Sequence, residues 1–464
     1  MKNIKGILAI FILCITCGVM YWLTGSRTPW NLATVGKSTA NVTIHLGDIP
    51  TENYDRMGFT KATVNYVSKE KAWLVGTEKG ELFLINNDGK QLWKRNLGVG
   101  KFIAMAITKD SQFAYIGEQS AEGNIYCFDV HTGDLKWKQS AVQYVGSEPA
   151  KRSYPSIVHI VADKANNVYV NMYRFVVTKT GRRGYLARVV SFNEQGNLRW
   201  RYPNNEYMDS WINWCDVSDE AGHVAISTSA YDFREEMKYK DSMYFVNKDT
   251  GMYRNSVRVQ AVPPFDNTVM RGSPNYSADG KLLAACPSDG RGILFDDKGK
   301  ILWVRGLSRP TSVDNAIMNA SGRDGYVRPE GVFFTTIATF NRENWQLPTP
   351  VEHPSSNSLF AFELNGKFKY QYRAKGTMEM QAFSDNGLIA CAIGRNVRTH
   401  DYSCHGALVI NLKDGKEKNY FHTEGPVQAI AITPDGSSIA AVEAPAVTPE
   451  GKIIGAYRLH IWKI

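Results

Sequence analysis

Short apolar runs separated by polar turns fill most of the chain, which is the pattern of β-strands with one buried face. One phrase recurs: an apolar strand, a tight turn that contains glycine, and a strand that carries an aromatic residue. The turn glycines are Gly89, Gly133, Gly196, Gly251, Gly299, Gly366 and Gly415. Turns of the Asn-Asp-Gly-Lys and Thr-Gly type supply the positive φ angles that β-hairpins need. The pattern therefore predicts a series of hairpins.

The position four residues after each turn glycine is a second regular feature. Five copies have an aromatic residue there and two have asparagine: Trp93, Trp137, Trp200, Asn255, Trp303, Tyr370 and Asn419. Each copy follows another short hairpin around an Asp-rich turn, so one unit holds four antiparallel strands, A to D in chain order. The units repeat at intervals of 44 to 67 residues, a spacing typical of β-propeller blades. Two stacked β-sandwiches are the alternative, but they need no such repeated phrase.

Closure of the ring is predicted from the two ends of this repeat. Seven complete units run from about residue 63 to 425, and an eighth that starts at Pro426 has three strands before Ile464. We expect residues 39–47, which alternate β-branched side chains, to supply the missing strand beside the final "RLHIWKI", because an open ring would leave apolar faces in water. The predicted fold is all-β: an eight-bladed β-propeller of four-stranded antiparallel blades, the last blade closed by the N-terminal strand, preceded by one transmembrane helix.

The first 25 residues form a separate segment. Lys2 and Lys5 precede an uncharged apolar run of 18 residues, 6–23, which as a helix would be about 27 Å long, close to the thickness of a bilayer core. The lysines predict that the rest of the chain is extracytoplasmic, on the periplasmic or cell-surface side. We expect an uncleaved anchor, because Thr16 and Gly18 fit a cleavage site poorly; a cleaved signal peptide and lipidation at Cys17 are the alternatives. The predicted domains are a membrane anchor or signal segment (1–25), a linker (26–38) and the propeller (39–464).

The stretch Asp-Val-His-Thr-Gly-Asp-Leu-Lys-Trp, residues 129–137, resembles the tryptophan-docking repeat of quinoprotein-type (PQQ-like) propellers. The other copies resemble it across nearly the whole predicted propeller. The resemblance implies an eight-bladed ring in which tryptophans lie between adjacent blades. The family includes pyrroloquinoline-quinone dehydrogenases and also non-catalytic scaffolds, such as the lipoprotein subunit of the outer-membrane β-barrel assembly machine. The final "RLHIWKI" is similar to the end of a WD40 blade.

Motifs that could carry catalysis are few. The dehydrogenases of this family use adjacent cysteines, a calcium site and a catalytic Asp; no two cysteines are adjacent in this chain, and neither the calcium ligands nor that Asp can be placed. Residues 400–405, "HDYSCH", hold ligand types that suit a transition metal, but their spacing matches no zinc pattern. We therefore expect no catalytic residue, metal or cofactor, and a non-catalytic scaffold. The alternative is a quinone-dependent or other oxidoreductase that uses the central channel.

The connections between strands differ between the two ends of the predicted blades. A–B and C–D turns, which share one face of a propeller, are minimal except near "SGRDGYVRPEG", residues 321–331. The long connections are the B–C segments 173–186, 230–241, 339–357, 394–405 and 444–457, and the D–A segments 141–154, 259–274 and 308–319. Insertions concentrated on one face predict a binding surface there.

These long connections are rich in arginine and aromatic residues, which suit an acidic or carbohydrate-like partner or a protein hot spot. The predicted partner-binding residues are Arg174, Arg182, Arg183, Tyr231, Arg234, Trp345, His353, Arg395, Arg398, His400 and Tyr402. The net charge of +9 also favours an anionic partner, whereas no nucleic-acid-binding pattern is present. We expect a monomeric ring that binds a protein or an anionic envelope component, and the membrane through its N-terminal segment.

Overall fold

The computed structural model describes residues 40–49, 62–98, 100–177, 181, 183–210, 214–229, 237–313, 316–341, 351–396 and 401–464. The predicted anchor at residues 1–25 and the linker at 26–38 lie outside these ranges. Within them, the helices are too short to span the apolar core of a bilayer.

Antiparallel sheets form nearly all of the regular structure of the described residues, and in most of them the spatial order of the strands is their order in the chain. We number them sheet 1 to sheet 7, followed by a closing sheet; sheets 2 and 3 are joined by a single pair, Gln119 with Ser156. Sheet 1 holds β2 (Ala62–Val67), β3 (Ala72–Thr77), β4 (Glu81–Asn86) and β5 (Gln91–Asn96); sheet 2 holds β6 (Lys101–Ile107), β7 (Phe113–Gln119), β8 (Asn124–Asp129) and β9 (Leu135–Ser140); sheet 3 holds β10 (Ser156–Ala162), β11 (Val168–Val177), β12 (Arg183–Phe192) and β13 (Leu198–Tyr202); sheet 4 holds β14 (Trp214–Ser218), β15 (His223–Ser227), β16 (Met243–Asn247) and β17 (Tyr253–Val257).

The remaining sheets continue the series. Sheet 5 holds β18 (Asn275–Tyr276), β19 (Leu282–Ala285), β20 (Arg291–Asp296) and β21 (Ile301–Gly306); sheet 6 holds β22 (Thr311–Val313), β23 (Ala316–Arg328), β24 (Gly331–Asn341), β25 (Ser358–Phe362) and β26 (Phe368–Arg373); sheet 7 holds β27 (Met378–Phe383), β28 (Leu388–Ile393), β29 (Gly406–Asn411) and β30 (Glu417–His422); the closing sheet holds β31 (Val427–Ile432), β32 (Ser438–Glu443), β35 (Arg458–Lys463) and β1 (Val42–His45). The short hairpin β33 (Ala446–Val447) and β34 (Ile453–Ile454), helix α1 (Val142–Val145) and a 3₁₀ turn (Pro149–Lys151) lie in connections.

The first strand of each sheet lies innermost. The strands β2, β6, β10, β14 and β18 contact one another in chain order, and β31 of the closing sheet contacts both β27 and β2. Sheet 6 differs from the predicted four strands, because β22 is an additional edge strand and β23, the second strand, contacts β18. Middle strands such as β28 and β32 are buried along their whole length, since both of their faces pack against neighbouring sheets. The outermost strands alternate exposed and packed residues, as in β5. The fold is therefore all-β and propeller-like.

The predicted closing strand is confirmed. β1 pairs antiparallel with β35, and Val42 lies opposite Ile461 and His45 opposite Arg458. The paired strand is four residues long, shorter than the predicted span of 39–47. Leu46 continues the contact outside the ladder, because its N–H donates to the carbonyl of Tyr457 (2.9 Å) and its side chain is buried.

The repeated aromatic residue joins each sheet to the next. Trp93 of sheet 1 lies on the turn glycine of sheet 2: a Cβ added to Gly133 would be 2.7 Å from an atom of the indole ring. The indole N–H of Trp93 also donates to the carbonyl of Val130 in that turn (2.8 Å). Trp137 and Trp200 contact Gly196 and Gly251 in the same way. Tryptophans thus lie between adjacent sheets, as the resemblance implied.

The two asparagines at the aromatic position have different surroundings. Asn255 keeps the polar half of the contact, because its side-chain amide donates to the carbonyl of Lys298 in the turn of sheet 5 (2.7 Å). Asn419 belongs to sheet 7, which packs against the closing sheet. The outer strands β35 and β1 of the closing sheet belong to opposite ends of the chain, so no C–D turn exists there to receive an indole. At the other side of the closing sheet, Val42 lies on Gly89, where a Cβ would be 2.5 Å from Val Cγ1.

Several connections are more ordered than predicted, and one predicted exception is wrong. Residues 321–331 are not a long A–B connection, because β23 runs to Arg328 and a two-residue turn leads to β24 at Gly331. Most of 173–186 is an extended hairpin in which Arg174 pairs with Leu186. The other corrections are smaller: 141–154 contains α1 and the 3₁₀ turn, 308–319 contains β22, and 444–457 contains β33 and β34.

Candidate functional site

The two ends of the sheets carry connections of very different length. All A–B and C–D turns contain five residues or fewer, and we call this end the turn face. At the opposite end, the long-loop face, seven connections have more than ten residues: 141–155, 203–213, 228–242, 258–274, 342–357, 394–405 and 444–457. Four of these seven include residues outside the described ranges. The short B–C turns of sheets 1, 2, 3 and 5 show that the long connections are not spread evenly around the ring.

Arg174 supports the long-loop face from within. It lies on β11 and is buried, and its Nε donates to the carbonyl of Val145 at the end of α1 (2.5 Å). Its Nη1 donates to Glu148 Oε1 (3.1 Å) and to the hydroxyl of Ser153 (3.2 Å). The guanidinium group therefore ties connection 141–155 to the hairpin of sheet 3.

His353 has a similar supporting position. Its Nε2 donates to the carbonyl of Arg309 (2.7 Å), and its Nδ1 accepts the N–H of Ser355 (3.1 Å), so the geometry assigns the proton to Nε2. Burial lowers the pKa of His353, which favours this neutral form. The side chain connects the segment after β21 with the end of connection 342–357.

Arg395 and Tyr402 join sheet 7 to the closing sheet. Nη1 of Arg395 donates to the hydroxyl oxygen of Tyr402 (3.1 Å), and that hydroxyl donates to the carbonyl of Val447 on β33 (3.1 Å). Tyr402 is buried and Arg395 is half-buried. The pair holds the base of connection 394–405 against the short hairpin β33–β34.

The other predicted partner-binding residues are not brought together by described contacts. Arg183 begins β12 and pairs with Val177 through the backbone. The rest lie outside the described residues: Arg182, Tyr231, Arg234, Trp345, Arg398 and His400. Partner binding by these eleven residues stays a prediction.

The segment "HDYSCH" is split between undescribed and buried residues. His400 lies outside the described ranges, whereas Cys404 and His405 are buried. Burial raises the pKa of the Cys404 thiol to about 12 and lowers the pKa of His405 to about 4. In the part of the chain that the structure describes, no group of three or more His, Cys, Asp or Glu residues has metal-binding geometry.

Polar residues on the inner strands were missed by sequence reasoning. Asp216 on β14 accepts N–H groups from Val217 (2.9 Å) and from Tyr276 of β18 (2.7 Å), and burial raises its pKa to about 6. His159 on β10 accepts the N–H of Cys215 at 3.4 Å, and burial lowers its pKa to about 4. The sequence contains a signal that could have identified them, because these polar residues interrupt otherwise apolar A strands.

Further around the ring, Arg323 of β23 donates to the carbonyls of Met378 (3.2 Å) and Glu379 (2.6 Å) on β27. The hydroxyl of Tyr326 donates to Gln381 Oε1 (3.1 Å) between the same two strands. These polar groups of the inner strands thus form hydrogen bonds between neighbouring sheets. These hydrogen bonds hold neighbouring sheets together. The long-loop face is the surface at which the length of the connections varies.

These features define an all-β, propeller-like protein with aromatic docking between successive sheets. Residues 56–207 match the model of the PQQ_2 family, described as "Outer membrane protein assembly factor BamB". The resemblance to the PQQ-like repeat propellers is thereby confirmed. No curated protein matches the chain.

Of two solved structures that are similar to this chain, the first supports the fold. The crystal structure of BamB from Moraxella catarrhalis is similar over 92% of this chain and 100% of that chain, with 14% sequence identity and a TM-score of 0.50. The β-propeller domain of Cps50 (Swd1) from Myceliophteria thermophila is similar over 89% of this chain and 98% of that chain, with 11% identity and a TM-score of 0.45. At these identities the likeness concerns the fold alone.

Proposed function

We propose that this protein is a non-catalytic, membrane-tethered, extracytoplasmic β-propeller of eight blades that binds a protein or another envelope component through its long-loop face. Sheets 1 to 7 and the closing sheet supply the eight blades. Residues 1–25 form the tether, 26–38 the linker and 39–464 a monomeric ring. The description of the matching family as an outer membrane protein assembly factor supports a scaffold that acts in the cell envelope.

The observation that carries the proposal is the difference between the two faces. Neutral growth of loops would lengthen turns at both ends of the strands, but the turns of the turn face have five residues or fewer throughout. Loops that vary on a rigid scaffold are where binding residues concentrate. The scaffold is rigid here because buried groups such as Arg174 and His353 fix the bases of the long connections.

The proposal divides the predicted site residues into two roles. Arg174, His353, Arg395 and Tyr402 position the connections, and the partner contacts come from Arg182, Arg183, Tyr231, Arg234, Trp345, Arg398 and His400. Arginine beside aromatic residues suits a partner with carboxylates and flat apolar groups, since arginine binds carboxylates with two hydrogen bonds and stacks on rings.

Site-specific photo-crosslinking in cells tests this division. A crosslinking amino acid placed at Trp345 or Arg182 should capture a discrete partner, which mass spectrometry then identifies. The matched controls are Asp414 and Asp435, which are exposed on the turn face and should not capture it. Equal capture from both faces would contradict the proposal. Reconstitution with pyrroloquinoline quinone and calcium tests the enzymatic alternative, and a quinone spectrum with dye reduction would overturn the non-catalytic scaffold.

A further inference from the structure

Large apolar side chains are exposed at the C–D turns of sheets 1 to 6, singly in sheets 1, 2 and 3 (Leu92, Leu135 and Leu198) and in pairs in sheets 4, 5 and 6. In the outer strands of sheets 4, 5 and 6 the residue four positions after the turn glycine is hydrogen-bonded to the turn of the next sheet, and apolar residues within three positions of that glycine are exposed. Six apolar side chains are exposed there: Met252, Tyr253, Ile301, Leu302, Leu364 and Phe368. Met252 is 67% exposed, the largest value among the large hydrophobic residues of the described ranges.

These turns form one continuous surface, because each outer strand is bonded to the following turn. Asn255 of sheet 4 donates to the carbonyl of Lys298 in the turn of sheet 5 (2.7 Å), and the indole of Trp303 in sheet 5 donates to the carbonyl of Leu364 in the turn of sheet 6 (2.9 Å). We call the surface formed by the six exposed apolar residues and the basic residues between them the rim patch. A contiguous apolar surface of this kind marks an interaction site.

The charges of the rim patch are mainly positive. The exposed charged residues of these three turns and the strands that follow them are Arg254, Lys298, Lys300, Lys367 and Asp249, whereas Lys248, Asp297 and Glu363 are half-buried. Glu363 pairs with Lys367 (3.6 Å). Asp249 is already paired, since Arg199 and Lys248 both donate to it. Lysine and arginine interleaved with large apolar residues are typical of surfaces that lie in the headgroup region of an anionic membrane.

The N-terminal end of β1 also lies at the turn face. Val42, at the start of β1, lies on the turn that contains Gly89. The side chain of Asn41 accepts the N–H of Lys463 (2.7 Å), and the N–H of Ile464 donates to Ser437 in the A–B turn of the closing sheet (2.8 Å). The first described residues, at the start of β1, therefore lie at the same end of the sheets as the rim patch, opposite the long-loop face.

We infer that the rim patch lies on an anionic lipid surface, with its apolar side chains among the headgroups and its basic side chains beside lipid phosphates. The choice of lipid as the occupant rests on the proposed tether, and the apolar and basic composition of the patch supports it independently. The consequence is an orientation: the propeller lies with its turn face on the membrane and presents the long-loop face to its partner.

Oxidation of Met252 measures this contact directly. The full chain is reconstituted in vesicles of phosphatidylcholine alone or with about one third phosphatidylglycerol, enough to create a negative surface potential, and is treated with dilute hydrogen peroxide. Peroxide converts an accessible methionine to its sulfoxide, which peptide mass spectrometry quantifies. We expect Met252 to react at least about tenfold more slowly on the anionic vesicles than on the neutral ones, because four basic residues add to the binding.

Matched charge reversals identify the contact surface. The rim variant carries Arg254→Glu, Lys298→Glu, Lys300→Glu and Lys367→Glu. The control variant carries the same number of reversals at exposed residues of the long-loop face, namely Arg152→Glu, Arg309→Glu, Lys375→Glu and Lys452→Glu. The rim variant should lose the protection of Met252, and the control variant should keep it.

Three results would overturn the inference. Met252 could react equally fast on both kinds of vesicle, it could be equally protected on both, or its protection could depend on protein concentration in detergent without lipid, which would indicate a second copy or another protein as the occupant. Flotation with the neutral vesicles reports the tether separately. Protection on anionic vesicles by a chain that does not float with neutral ones would support the rim patch and contradict the tether.

Discussion

Consecutive sheets and the two ends of the ring are joined by different kinds of contact. Between sheets 1 and 2, Trp93 covers Gly133 and donates one hydrogen bond to the turn, so the contact is mostly apolar. In the closing sheet, β35 and β1 share no turn, and Val42 takes the place of the indole on Gly89. Valine buries less apolar surface than tryptophan. Because the stabilisation is roughly proportional to the apolar area buried, this contact stabilises the joint less than the indole does.

A polar network stabilises the closing sheet instead. Glu443 is fully buried and accepts hydrogen bonds from Nε of Arg458 (2.6 Å), Nε2 of His460 (2.6 Å) and the N–H of Gly425 (2.7 Å). Nδ1 of His460 lies 3.0 Å from the hydroxyl of Thr43 on β1. Burial by itself raises the pKa of Glu443, but the hydrogen bonds from His460 and Arg458 outweigh it and leave the pKa lowered.

The difference shows what chain connectivity contributes. A hairpin turn fixes the register of two strands, so an aromatic residue on a glycine is enough to join neighbouring sheets. β1 has no turn to fix its register, and a slip by one residue would turn Val42 and Ile44 to the wrong side. A bond such as Thr43 to His460 forms in one register only. We interpret the buried network as the element that specifies how the ends meet, a role that buried polar groups have in other proteins.

Removal of β1 should have the largest effect on the stability of the closing sheet. Deletion of residues 1–48 should unfold or aggregate the protein. Four residues of ladder are lost at roughly 1 kcal/mol each, together with the buried side chain of Leu46 at about 1.5–3 kcal/mol, a sum comparable with the whole stability of a typical domain. Thermal unfolding measures it. The control is deletion of residues 1–25 alone, after which the protein should stay folded and unfold cooperatively on heating. An unchanged melting temperature after the longer deletion would show that β1 is dispensable.

The repeated joints could be predicted from the sequence, because each is encoded by residues a few positions apart. The same holds for β1, whose β-branched alternation is local. Residues 321–331 were predicted to be a long connection, but their glycines lie in a strand where neighbours approach closely: a Cβ on Gly325 would be 2.9 Å from the N of Ala285. Arg174 was predicted to bind a partner, and its burial depends on α1, which lies about 30 residues earlier in the chain. Such distant packing has no local pattern.

Loss of the buried carboxylate is the second test of the comparison. Glu443→Gln keeps the shape of the side chain but removes the charge that Arg458 and His460 bond to, and should destabilise the protein by about 3–5 kcal/mol. Glu417→Gln is the matched control, since Glu417 accepts a single hydrogen bond, from the hydroxyl of Tyr372, at the surface (2.7 Å), and should cost at most about 1 kcal/mol. Denaturant unfolding gives both values. Similar losses in the two variants would refute a special role for the closing network.

The smallest expected effect is a dependence on pH at the joint between sheet 7 and the closing sheet. Nδ1 of His405 donates to the carbonyl of Glu424 (3.1 Å), and Glu424 in turn pairs with Arg458 (2.7 Å). Nε2 of His405 is buried without a hydrogen-bond acceptor among the described residues. Burial lowers the pKa of His405 from 6.5 to about 4, because a proton on Nε2 would place an unpaired charge in the core.

The sign of the effect follows from proton binding. Between pH 6.5 and about 4 the unfolded chain binds a proton at His405 that the folded chain does not, so the free energy of unfolding falls as the pH falls. Over this window His405 should account for a loss of up to about 3 kcal/mol. His405→Gln should remove that part of the slope, whereas His45→Gln, at an exposed position on β1, should leave it unchanged. Denaturant unfolding at pH 7, 5.5 and 4 measures the slopes. Parallel curves for the wild type and His405→Gln would mean that this joint does not sense protons.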